Sequence, residues 1–139
     1  MDKIWLENER VFTLNGEETF TAITMLAPLN AVLTENGSVD VTALARDLEV
    51  ELATMARVLG KSPQFLQKYP TAPSVQLRAL QLVDRVNALA HAFAGLRHAI
   101  AWLKMPVEEL GNISALDALQ MRFDVGIAHI DRWVAMLPD

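Results

Sequence analysis

Apolar side chains recur at three- and four-residue steps along most of this chain, the spacing that places them on one face of a helix. From Glu17 to Leu33 the series Phe20, Ile23, Met25, Leu26, Leu29, Val32 and Leu33 predicts a helix, which Pro28 kinks or restarts. Asn36-Gly37-Ser38 reads as a loop, and Asp40 as the N-cap of a helix starting at Val41. Three short helices are then expected. Val41, Leu44, Ala45 and Leu48 mark the first, and Leu52, Met55, Ala56 and Leu59 mark the second, which stops at Gly60. Ser62-Pro63 opens the third, a cap followed by proline in the first turn, with Phe65, Leu66 and Tyr69 as its apolar side.

Pro70 and Pro73 break the pattern, and Ser74 is expected to open a long helix through Leu77, Leu80, Leu82, Val83, Val86, Leu89, Ala90 and Phe93. Gly95 interrupts it, and Leu96 to Leu103 resumes. Pro106 then stops the helix, because it has no N–H to donate. Leu110-Gly111 makes a turn, and Ser114 with Asp117 three residues on approximates a capping box. A last amphipathic helix runs from Arg122 to Leu137 on Phe123, Val125, Ile127, Ile130, Trp133 and Val134. No alternating run of convincing length comes after residue 16, where Asn15-Gly16 signals a turn; before it, a hairpin, an extended arm and a helical turn all fit. The fold class is all-α, divided as residues 1–40 of unassigned role, 41–73 like a helix-turn-helix, and 74–139 as a C-terminal helical half.

Composition narrows the functions. At 139 residues and 52% hydrophobic, the chain is long enough to bury a real core. It contains no cysteine, so disulfides, thiolate metal sites and thiol catalysis are excluded, and a reducing cytoplasm fits. No apolar run approaches the ~20 residues that span a bilayer, so no membrane partner is expected. The net charge of -5 is uneven: residues 1–51 carry ten acids and three bases, residues 52–104 one acid and seven bases, and residues 105–139 six acids and two bases. A basic middle between acidic flanks can approach nucleic acid with one face, or simply be solvated.

No motif calls for catalysis. His91 and His98 are seven residues apart, about 10 Å along an unbroken helix, too far to share one metal. His129 has Asp131 nearby but no metalloprotease-like pattern, and each histidine is expected at the surface or half-buried. Glu108 and Glu109 resemble an acid/base pair less than a solvated turn. The chain reads as a non-enzyme without cofactor or metal. Trp102 is expected to pack between the long helix and the last one, with Trp102, Met105 and Pro106 as the alternative rim of a partner surface.

Two registers fit a helix-turn-helix, which needs two short helices at a steep angle and a tight turn. The first uses Ala45, Leu48, Val50, Met55 and Val58, with Glu49 where glycine is usual. The second uses Ala56, Leu59, Gly60, Leu66 and Tyr69, with Lys61 where an apolar residue is usual. In the second, Gln64 and Gln67 are placed for base edges and Lys61, Ser62 and Lys68 for phosphates of operator DNA.

The order W-L-x-x-P-x-x-x-L-G-x-x-S-x-L-D-x-L from Trp102 to Leu119 resembles the C-terminal domain of Xre/MbcA/ParS-type antitoxins, and ELATMARVLGKSPQFLQKY before it resembles their helix-turn-helix. The resemblance covers about residues 42 to 132. It implies an antitoxin that covers the active site of a RES-domain toxin, an NAD-degrading protein, and that binds operator DNA to repress its own operon. By that analogy the toxin-binding residues are Trp102, Leu103, Pro106, Leu110, Gly111, Ser114, Leu116 and Asp117. Ala115 departs from the family's proline, and the final DRWVAMLPD from its closing glycine segment. A stand-alone helix-turn-helix regulator and a scaffold that only forms a homodimer are the other readings.

Overall fold

A computed structural model describes Leu29 and residues 32–136 of the chain. The chain divides into two units, residues 1–31 and residues 32–139. The helix expected from Glu17 lies outside the described residues except at its end, and there it is corrected. Leu33 pairs with Val39 in an antiparallel bridge around the turn at residues 35–37, because Thr34 N–H bonds to Ser38 and Asp40 N–H returns to Val32.

Asp40 then caps α1 (Val41–Asp47), accepting from the N–H groups of Thr42 and Ala43 and from the Thr42 hydroxyl at 2.6 Å. Burial pushes the Asp40 carboxyl up, but those hydrogen bonds outweigh it and hold the group below its ordinary 3.8. Glu49, at φ 59°, turns the chain into α2 (Leu52–Leu59), and Gly60, at φ 73°, ends that helix. Ser62 caps α3 (Pro63–Lys68) by accepting the Phe65 N–H at 3.1 Å. All three short helices therefore stand where the caps and turn residues predict them.

The long helix α4 (Pro73–Ala92) begins one residue before the expected Ser74, with Pro73 in its first turn. Its phase also differs. The buried stripe is Val75, Ala79, Leu82, Val83, Val86, Leu89 and Ala90, whereas Leu77 is 73% exposed and Leu80 43% exposed. Leucine count alone does not say which side of a helix meets its neighbours. Ala94 and Gly95 then reverse the chain at φ 60° and 152° into α5 (Leu96–Lys104).

Beyond α5 come a two-residue antiparallel pair, β1 (Pro106–Val107) with β2 (Ile113–Ser114), then α6 (Ala115–Met121) and α7 (Phe123–Met136). The described residues are thus mostly helical, an all-α domain apart from this pair, and the pair is too short to read as alternation. The helix pair α6–α7 closes tightly because Gly126 has no side chain: a Cβ there would meet Leu119 Cγ and Cδ2 at 2.7 Å and the Leu119 backbone nitrogen at 2.8 Å. Helix α4 lies against both α5 and α7, and α2 reaches α4 and α6. One apolar interior therefore joins the helix-turn-helix-like segment to the C-terminal helices. Leu44, Met55, Leu66, Leu82, Leu89, Leu119 and Ile130 are among its fully buried members. Each contributes about 1.5–3 kcal/mol relative to an exposed position.

Among the described residues no helix is long and apolar enough to cross a membrane.

Candidate functional site

The turn between α5 and α6 is built almost entirely from its own backbone. Met105 N–H closes α5 onto Trp102, and Pro106 pairs with Ser114 and Val107 with Ile113. Between the strands a 3-10 turn, Glu108–Leu110, ends at Gly111, whose φ of 81° suits glycine; none of the described residues crowds the place of its missing Cβ, so backbone freedom rather than space requires it. Asn112, at φ 66°, donates its N–H to Val107 at 2.9 Å. The capping box is complete: Asp117 N–H donates to Ser114 Oγ at 2.9 Å, and Ser114 N–H donates to Asp117 Oδ2 at 3.3 Å. We call residues 105–114 the elbow.

The eight residues named for toxin contact divide by depth. Trp102, Leu103 and Ser114 are buried, at 8%, 2% and 5% exposure, so for them the expectation of a contact surface is corrected: they are the elbow's footing. Trp102 meets Trp133 edge-on with ring centres 5.5 Å apart, as expected for a tryptophan packed against the last helix. Leu110 and Leu116 are half-buried. Pro106, Gly111 and Asp117 are exposed, and Met105 beside them is 55% exposed. The outward rim is thus Met105, Pro106, Glu108, Glu109, Gly111 and Asn112, a mix of apolar and acidic groups on a fixed base.

The residues named for DNA stand together on and before α3. Ser62, Gln64, Gln67 and Lys68 are exposed and Lys61 is half-buried. Lys61 Nζ lies 5.0 Å from the centre of the Phe65 ring, and Lys68 Nζ lies 5.5 Å from that of Tyr69. Ser62 Oγ is already engaged by the cap. Both registers fold as helix, tight turn and helix, since Glu49 adopts the left-handed turn in the first as Gly60 does in the second. The turns are braced from elsewhere: Arg78 Nη1 donates to Val58 O at 3.0 Å, and Lys104 Nζ donates to Glu49 O at 2.7 Å.

One residue is misplaced by the sequence reading. His129 is buried, at 2% exposure, not at the surface or half-buried as expected. Its ring stacks on Trp102 with centres 5.7 Å apart and planes 9° apart, and neither Nδ1 nor Nε2 has a hydrogen-bond partner among the described residues. Burial first, and Arg132 second, push the imidazole below its ordinary 6.5, against an upward pull from Glu109. An unpartnered buried donor costs about 1–3 kcal/mol, which stacking on Trp102 and burial of the ring must offset. The signal was present: Gly126, His129 and Ile130 stand at helical spacing along the buried side of α7. His91 and His98 are exposed, as are Glu108 and Glu109. Among the described residues no three acidic or histidine side chains gather where they could hold a metal ion.

Comparison with protein-family models, with curated proteins and with solved structures finds no match for this chain.

Proposed function

We propose that the chain is an antitoxin-type binding protein that neutralises a RES-domain toxin by covering its active site, with the elbow as the covering surface. The observation that supports this reading is the division of the elbow. Its footing, Trp102, Leu103 and Ser114, is buried and bonded, while Met105 and Pro106 stand outside it. A rim of methionine and proline on a base already buried and bonded suits occlusion, because little ordering cost is left at the moment of binding. The resemblance of the order from Trp102 to Leu119 to the antitoxin pattern supplies the partner class.

Co-expression with a RES-domain toxin encoded beside this chain tests it. Growth is restored by the native chain, and Pro106→Arg or Met105→Glu lowers rescue and co-purification at least tenfold without changing the unfolding midpoint. No such neighbour, or no rescue when one is supplied, overturns the proposal.

A second reading, a helix-turn-helix regulator of transcription, is favoured by the outward set Gln64, Gln67 and Lys68. It predicts a salt-dependent shift of the DNA upstream of the coding sequence that Lys68→Glu weakens. In the antitoxin reading the same surface would repress the operon.

A further inference from the structure

The buried imidazole of His129 has no task in either reading, and the fold accepts an unpartnered polar ring at a place where a phenylalanine has the same shape. It lies where α7 meets the end of α5, stacked on Trp102, whose carbonyl accepts the Met105 N–H that begins the elbow. Trp133, one turn further along α7, closes on the edge of the same tryptophan. Loss of this stack therefore removes the footing of the elbow, and it reaches the α1–α3 segment only through the single Lys104-to-Glu49 bond.

Among the described residues the charged groups around it are few. On its own helix Arg132 stands nearby and repels a second positive charge, while Asp131 is held by Arg85 of α4 at 2.9 and 3.2 Å. The elbow contributes Glu109, which is exposed and makes no hydrogen bond to the ring. From α5 it meets the face of Trp102, and α6 packs on α7 through the apolar contact of Leu119 with Gly126. No carboxylate among the described residues is placed to bond a protonated ring in situ.

We propose that His129 is an acid-operated latch: on taking up a proton the ring leaves its slot against Trp102, parts α7 from the end of α5, and releases the elbow. A charge at 2% exposure with neither nitrogen partnered among the described residues is unfavourable in the closed form and is hydrated in the open one. The open form therefore binds the proton more tightly. The closed form is fully favoured above the ordinary value of 6.5, and it loses ground as pH falls from there toward the lower value of the closed form. The inference needs no partner, so it stands or falls independently of the antitoxin reading.

Amide hydrogen exchange of the whole chain at about pH 7.5 and about pH 5.5, corrected for intrinsic rates, tests it. Between these conditions the opening constant of residues 102–114 rises, by at most about tenfold for one imidazole of ordinary value in the open form, while that of α1–α3 stays level. In His129→Phe, and in His129→Gln should the phenylalanine fail to fold, the rise disappears although His91 and His98 remain. An equal rise in both variants overturns the latch. So does a native elbow that does not respond to pH, or a rise spread evenly over α1–α3 and the elbow.

Discussion

The two turn regions are held in opposite ways. The elbow is organised from within, by the β1–β2 pair, by the Asn112-to-Val107 bond and by the reciprocal Ser114–Asp117 cap. Only its footing depends on distant residues, through Trp102, His129 and Trp133. The α1–α3 segment has local caps at Asp40 and Ser62, but its turns and the strand before it are held from outside. Gln76 of α4 accepts the Val39 N–H at 2.7 Å and donates to the Val39 carbonyl at 3.0 Å, as a neighbouring strand would. Arg78 holds the carbonyl of Val58, and Lys104 that of Glu49. While its footing holds, a self-bonded turn keeps its shape if distant parts of the chain loosen, and a braced one does not. That difference suits a rigid rim for covering a partner and a segment whose geometry depends on the long helices.

The largest effect is expected where an outside brace is cut. Gln76→Ala leaves both polar groups of Val39, a residue with 0% exposure, without partners. Stranding buried backbone groups costs about 1–3 kcal/mol each when water cannot replace the lost bond, and partial water entry at this part-buried site puts the loss at about 2 kcal/mol. Urea unfolding should report that loss, and exchange of the Val39 and Thr42 amides should quicken while Asn112 stays protected. If Asn112 and Val39 respond alike, the two regions are one cooperative unit and the contrast is wrong.

The internal bonds of the elbow predict a smaller and confined effect. Ser114→Ala removes the acceptor for the Asp117 N–H and should cost about 1 kcal/mol, the ordinary value of an N-cap. The alanine fills the same buried space, so no cavity adds to it. Amides of Ala115 to Ala118 should exchange faster while Val39 is unchanged. A loss above about 3 kcal/mol would mean that the hydroxyl supports more than the cap.

This same contrast decides what is legible without the fold. Asp40, Gly60, Ser62, Gly111 and the Ser114–Asp117 pair act on residues within four positions, so their roles are visible in the order of residues alone. The braces are not, because Gln76 and Val39 lie 37 positions apart and Lys104 and Glu49 lie 55 apart. The exposed phase of α4 at Leu77 and Leu80 depends on where α5 and α7 dock, which periodicity leaves open. At the site, the order from Trp102 to Leu119 located the elbow, but it could not divide inward residues from outward ones. His129 was missed because a histidine is usually counted as polar, and only its position between Gly126 and Ile130 marks it as interior.

The smallest effect is a gain, at the point where a brace and local strain meet. Glu49 adopts φ 59°, a conformation in which its Cβ crowds the backbone, and Lys104 holds its carbonyl there. Glu49→Gly removes that crowding but adds freedom to the unfolded chain, so the net gain should be about 0.5 kcal/mol. The Glu49 side chain is exposed and its carboxylate forms no ion pair among the described residues, so little is lost with it. If Lys104 serves to hold a strained turn, Lys104→Met should cost less in the glycine background than in the native one. A double-mutant cycle reads this coupling directly. Additive losses would place the role of Lys104 in capping α1's final turn, whatever residue occupies position 49, and would separate bracing from strain in this segment.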